Sequence, residues 1–221
     1  MKTNYLFNTI KQALLKNLLP GFVLQVFALS IVLVYFYLPA SQTSFNAIAE
    51  LKLAHGWRYT FIATALFGGL IPFIYLHLTK ALPKQSVIKL LCFYLIFWGI
   101  KGVEVDLFYQ LQGYWFGYDN TVATIVKKTA MDQFIYSALW AAPSITLCYL
   151  WLENNFSFNQ TVKAADKHFF SLTLPSVIVS NWLVWIPAVS IIYTMPAELQ
   201  IPLFNLVLCF WVLMLAALNR K

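Results

Sequence analysis

The run from Leu18 to Leu38 constrains this chain most. It holds twenty-one residues without a charged side chain, and its main interruptions are Pro20-Gly21, Gln25 and Ser30. That length matches the ~20 residues a helix needs to cross the hydrocarbon core of a bilayer. A helix that is apolar on every face finds no amphipathic solution in water. In lipid it satisfies its own backbone groups. The run exceeds the ~7–15-residue apolar core of a signal peptide, and Pro39-Ala40-Ser41 makes a poor cleavage site, so it reads as a retained first span.

Comparable runs recur over 57–77, 87–111, 131–152, 169–193 and 201–218. Composition agrees. The chain is 61% hydrophobic and only 10% charged over 221 residues, where a soluble domain carries about 45–50% apolar and about 25% charged residues. Mean hydropathy is +0.70. The expected fold is all-α, a single polytopic bundle over 18–221 with about six transmembrane helices. Residues 1–17 form an interfacial amphipathic segment, with Tyr5, Leu6, Ile10, Leu14 and Leu15 interleaved by Lys2, Lys11 and Lys16. A count of five spans follows instead if the third run, which carries charge, is only partly inserted.

Orientation follows from lysine and arginine. Under six spans, Lys2, Lys11, Lys16, Lys80, Lys84, Lys89, Lys163, Lys167, Arg220 and Lys221 fall on one side. Lys52, Arg58, Lys127 and Lys128 fall on the other, and Lys101 lies inside a span. The expectation is both termini in the cytoplasm and, for a bacterial chain, residence in the inner membrane. The net charge of +7 then suits an anionic lipid surface and gives no reason to invoke nucleic acid. Trp57, Trp115, Trp140 and Trp151 lie near span ends, where amphipathic rings favour the interface. The stretch Gly113–Tyr118 reads as an interfacial anchor.

Ionisable groups inside a span are costly and mark functional or structural pairs. The third run carries Lys101, Glu104 and Asp106. Lys101 and Glu104 are three apart and can neutralise each other. Asp106 lies about 200° round from Glu104, at ~100° per residue, and faces another neighbour. These three either line a polar pathway or form structural pairs. Lys128 and Asp132 are four apart at the start of the fourth run, within reach of each other. Asp132 and Gln133 either guard a water-filled opening or belong to a capped helix start. Ser176, Ser180 and Asn181 in the fifth run, like Gln25 and Asn205, can bond a neighbouring helix or line a pore.

The signals for catalysis are negative. There is no G-x-S-x-G, no H-E-x-x-H and no G-x-x-x-x-G-K-[ST]. Cys92, Cys148 and Cys209 stand apart in apolar runs, and His55, His77 and His168 lack ligand spacing. No metal, no cofactor and no enzymatic activity is expected.

The run Lys127-Lys128-x-x-x-Asp132-Gln133, followed by Pro143, resembles the Mpv-seventeen and twenty-two-kilodalton peroxisomal membrane protein family, whose "K-x-x-x-D-Q" helix is followed by a proline at a similar distance. Leu174-Pro175 and Asn181-Trp182 are similar to the family's "W-P-x-x-Q-x-x-N-F" stretch. Gln200, Asn205 and Trp211 are similar to its final "R-x-x-x-x-N-x-x-x-x-x-W". The resemblance covers about 123–218. It departs at Ile178-Val179, where a glutamine is usual, and at Gln200, where an arginine is usual. About nine extra residues separate Asn181 from Met195-Pro196, and the family is usually drawn with four spans. What it implies is a divergent bacterial-type relative of weakly selective channels or metabolite-homeostasis proteins. It marks Asp132, Gln133, Pro175 and Asn181, with Lys128, Pro143, Asn205 and Trp211 as structural positions.

Together these readings point to a channel or facilitator for small polar solutes or ions, alone or as a homo-oligomer, with Asp132, Gln133, Lys101, Glu104, Asp106 and Asn181 as pathway candidates. The alternative is a non-transporting scaffold or homeostasis factor that binds a protein or lipid. An intramembrane enzyme ranks third.

Overall fold

The computed structural model describes residues 2–218, and the side chains of 11, 12 and 14–217. Eight helices and no strands are present among them. They are α1 (Lys2–Tyr37), α2 (Gln42–His55), α3 (Trp57–Leu78), α4 (Val87–Phe116), α5 (Val122–Glu153), α6 (Phe158–Ala164), α7 (Phe169–Ile192) and α8 (Ala197–Leu218). Five of these contain a segment long and apolar enough to cross a membrane: Leu14–Tyr37, Trp57–Leu78, Val122–Glu153, Phe169–Ile192 and Ala197–Ala217. The chain is an all-α membrane bundle.

Helix α4 is long but carries Lys89, Lys101, Glu104 and Asp106, which interrupt its apolar run. Its contacts nevertheless run from one end of the bundle to the other. At its start, Tyr94 packs on Phe73 near the end of α3, and Phe93 packs on Phe156 in the α5–α6 turn. Near its end, Gln112 bonds Tyr193 at the end of α7. The 30 residues of α4 span ~45 Å at 1.5 Å each. Helix α4 is therefore long enough to accompany the five apolar segments along the bundle. Its charges are tolerated because Lys101 and Asp106 are buried in the bundle and paired.

Several boundaries differ from the sequence expectation. The first helix is continuous from Lys2 to Tyr37, with no break between an interfacial segment and a span. The side chains of Tyr5, Leu6, Ile10 and Lys2 lie outside the described residues, as do Arg220 and Lys221. Helix α2, fourteen residues long, occupies what reads as a loop. Gly113–Phe116, read as an interfacial anchor, is the last turn of α4. Helix α5 begins at Val122, nine residues before the expected start, because Thr121 caps it and accepts from the Thr124 backbone N–H at 3.4 Å. Helix α8 begins at Ala197 with Pro202 in its interior.

Three helices widen into π-helical segments, at Ala65–Leu70, Met131–Ala141 and Phe169–Thr173. Each is followed by a proline at the start of the next α-helical stretch: Pro72, Pro143 and Pro175. Proline lacks an N–H, and its ring clashes with the carbonyl four residues back. Those carbonyls belong to Gly68, Leu139 and Ser171, each inside its π segment. Widening the turn relieves the clash while keeping the remaining backbone bonded. Around Pro20, Pro187 and Pro202 the helix stays α-helical.

Helices α3 and α4 approach each other closely. A Cβ on Gly69 would stand 2.7 Å from the Tyr94 carbonyl oxygen. A Cβ on Gly102 would overlap Thr64. Small residues permit this backbone proximity. The two ends of the bundle differ in charge. Lys80, Lys84, Lys89, Lys163 and Lys167 are exposed at one end, hereafter the basic end. At the opposite end Lys52 and Lys128 are buried, which leaves Arg58 and Lys127 exposed.

Candidate functional site

Helices α4, α5, α7 and α8 line a partly open chamber of about 350 Å³ between them, with Thr64 of α3 contributing to its wall. Its polar groups are few. The π segment of α5 places Asp132, Gln133 and Ser137 on the wall; Lys101 comes from α4 and Asn181 from α7. Rings supply much of the remainder: Trp98 and Tyr109 from α4, Tyr136 and Tyr149 from α5, and Trp185 and Trp211 from α7 and α8.

The chamber adjoins two further concavities. One shares Val177, Asn181, Trp211 and Leu215 with it and reaches His168 and Ser180. The other shares Thr146 and Tyr149 and reaches Glu153, Asp166 and His168. Glu153, Asp166 and His168 are exposed, so this side leads to the basic end. Asp166 also orders the entry to α7, where its Oδ1 accepts from the Phe169 backbone N–H at 2.9 Å.

On the side away from the basic end lies a buried hydrogen-bond network. Gln112 Nε2 donates to the Tyr193 hydroxyl at 2.8 Å, and that hydroxyl donates to Asp132 Oδ2 at 2.6 Å. Gln133 Nε2 donates to Asp132 Oδ1 at 2.8 Å. The Trp182 indole N–H holds the Gln133 backbone carbonyl at 2.8 Å. All four members of the network are buried; Gln112 is 0% and Tyr193 2% exposed. The sequence spacing offers Lys128 as the partner of Asp132, but the two form no ion pair. Tyr193 stands between them. Its hydroxyl binds the carboxylate, and its ring faces the Lys128 ammonium at 5.7 Å, with Tyr118 on the same ammonium at 5.8 Å.

The other charged candidates separate into two groups. Lys101 and Glu104 pair at 3.0 Å through both carboxylate oxygens. Lys101 also donates to Ser144 Oγ at 2.8 Å, and the Tyr136 hydroxyl donates to Glu104 at 2.5 Å. Lys101 reaches the chamber wall, and Glu104 is held to it. Asp106 is absent from the wall. It faces α2 and α3, where it accepts from Lys52 Nζ at 2.5 Å and from the Thr60 hydroxyl at 2.8 Å.

Among the motif residues, Asn205 accepts from the Thr64 hydroxyl at 2.8 Å and ties α8 to α3. Pro143 and Pro175 terminate π segments, and Trp211 lines the chamber. Gln25 donates to the Val184 carbonyl at 2.8 Å, joining α1 to α7. Outside the spans, Asp119 accepts from the Thr121 hydroxyl and backbone N–H, and those bonds hold its carboxyl down to about pH 2.

Tyr193, Gln112 and Lys52 are the participants that sequence reasoning missed. Tyr193 looks like one more interfacial aromatic at a span end. Lys52 carried a signal: Ala47-Ile48-Ala49-Glu50-Leu51-Lys52-Leu53-Ala54 contains only residues tolerated in helices and neither glycine nor proline. No group of three metal-ligating side chains is present among the described residues. Comparison with protein-family models, curated proteins and solved structures gives no match.

Proposed function

We propose that this protein is a facilitator that passes a small solute across a membrane by exposing one central chamber to the two ends in turn. The reading rests on the chamber. It lies between the helices, adjoins concavities that reach the basic end, and is bordered on the other side by the hydrogen bonds of Asp132, Gln112, Gln133 and Tyr193. A packed apolar plug would be costly to open. A network of hydrogen bonds can exchange its partners for water or solute at small net cost. The helix most involved, α5, carries the longest π segment, and such segments recur where helices bend at functional sites.

In this reading Asp132 and Gln133 receive the solute, Asn181 stands on the route from the basic end, and the Lys101–Glu104 pair shapes the charge of the wall. Asp106 holds the bundle together. No catalytic step is assigned. The basic end faces the cytoplasm, by the distribution of lysine and arginine, and a bacterial inner membrane suits that arrangement. The reading is compatible with a divergent relative of the Mpv-seventeen family, since Asp132, Gln133 and Asn181 all line the same chamber. The test is solute flux in proteoliposomes containing the wild-type protein and the Asp132→Asn variant. Flux above protein-free vesicles, reduced in the variant, is the expected result. A broad solute panel with no flux above empty vesicles overturns the reading.

A further inference from the structure

The charged groups of the chamber wall are unevenly matched. Its one cationic donor is committed. The three N–H bonds of a lysine ammonium are matched on Lys101 by the two oxygens of Glu104 and by Ser144 Oγ. The Trp98 indole donates to the Tyr149 hydroxyl at 3.1 Å. The Tyr136 hydroxyl is given to Glu104. The Thr64 hydroxyl is given to Asn205.

The acceptors are not all committed. Gln133 Oε1 is buried without a hydrogen-bond partner, on a residue 2% exposed that lines the chamber. Asp132, beside it, accepts from Tyr193 and from Gln133 Nε2, while an ionised carboxylate offers about four lone-pair sites. An unpartnered buried polar atom needs an explanation, and a bound donor supplies one.

Charge points the same way. The wall presents Lys101 neutralised by Glu104, and Asp132 without a cation partner. Lys128 is not in the wall, because its ammonium is engaged by the rings of Tyr118 and Tyr193. The wall therefore retains one carboxylate with no counter-charge. The same wall carries Trp98, Tyr109, Trp185 and Trp211, and aromatic rings attract cations and cover flat apolar groups.

We infer that the chamber takes an organic monocation, a primary or secondary ammonium joined to a flat apolar body, with its N–H groups on Asp132 and Gln133 Oε1 and its body among the tryptophan and tyrosine rings. This deepens the facilitator reading and rests on it for its physiological meaning. An anion finds no free ammonium or guanidinium in the wall. A fully apolar ligand leaves the Gln133 and Asp132 acceptors unpaired. The volume is at the small end of the range for ligand pockets, ~300–1,000 Å³.

The test is equilibrium binding to the full chain in nanodiscs, with empty nanodiscs as the partition control. The readouts are tryptophan fluorescence and calorimetry. Three probes share one body: 2-phenylethylammonium, 2-phenylethanol and 3-phenylpropionate. The ammonium is expected to bind about ten- to a hundredfold more tightly than the other two, the range for losing a charge-assisted bond. Asp132→Asn is expected to remove that preference, and Gln133→Met to reduce it. Circular dichroism and gel filtration check folding. The wild-type probe series stands without either variant. Equal affinity for all three probes, tighter binding of the alcohol or carboxylate, or no binding of the ammonium overturns the inference. Ammonium binding without flux leaves this site standing and removes the facilitator reading. Flux of other solutes without ammonium binding does the reverse.

Discussion

Two buried carboxylates near the same end of this bundle have opposite surroundings. Asp106 is matched: Lys52 supplies a counter-charge, Thr60 supplies a hydroxyl, and the group is walled in by α2 and α3. Asp132 has neutral donors only and stands on the wall of a chamber. Both are about equally buried, at 4% and 5% exposed, so burial does not separate them. The partner does. A charge paired inside the protein has done its work on folding. A charge left without a counter-ion next to open volume remains available to a solute.

That contrast is sharpest when each pair is broken. Lys52→Met leaves Asp106 buried with no counter-charge. The expected loss is about 3–5 kcal/mol of stability, read as an earlier unfolding midpoint in detergent. The double variant Lys52→Met with Asp106→Leu recovers most of it, because no orphan charge remains. A single Lys52→Met variant with unchanged stability would dissolve the distinction. Asp132→Asn is expected to shift the midpoint less than Lys52→Met, since the oxygen that remains still accepts from the Tyr193 hydroxyl and no charge is left unpaired, while flux falls.

The next effect tests the frame that holds the two sites apart. Gly69→Val pushes a side chain against the Tyr94 carbonyl, and the α3–α4 approach has no slack there. Overpacking of this kind costs about 1–3 kcal/mol, and thermal unfolding in detergent measures it. Tyr193→Phe is expected to cost about 1–3 kcal/mol, because Gln112 Nε2 loses its acceptor in a buried setting. It also loosens the network that borders the chamber, so in the facilitator reading the background leak of proteoliposomes rises. A tight, fully stable Tyr193→Phe variant contradicts a closing role for Tyr193. The smallest effect is at the surface. The Asp119 carboxyl sits near pH 2 when folded, below its ordinary value of 3.8. Its support of the α5 cap is therefore fully present above about pH 4 and is lost as pH falls toward 2. Asp119→Ala removes that segment of the acid unfolding curve and leaves the remainder in place.

Much of the fold was legible in the sequence because lipid imposes simple rules. Apolar runs such as Leu18–Leu38 mark helices, and the positions of lysine and arginine distinguish the two ends. What was not legible depends on tertiary partners. Helical spacing offers Lys128 to Asp132, but only the packing of α7 onto α5 shows that Tyr193 takes both. Lys101 and Glu104 were readable because their pairing is local to one helix turn. The Lys52–Asp106 pair joins residues fifty-four apart in the chain and leaves no local trace. The prolines were visible, yet their result, three widened turns, depends on how each helix resolves the clash. Pro187 and Pro202 show that the outcome differs from one site to another.

The measurement that bears most directly on the division between the two carboxylates is uptake of labelled 2-phenylethylammonium into proteoliposomes, wild type against Asp132→Asn, with both proteins reconstituted at equal density and equal unfolding midpoint. Uptake above protein-free vesicles in the wild type, and loss of most of it in the variant, is the expected result. Equal uptake by the two proteins, or none above protein-free vesicles in either, would contradict the account.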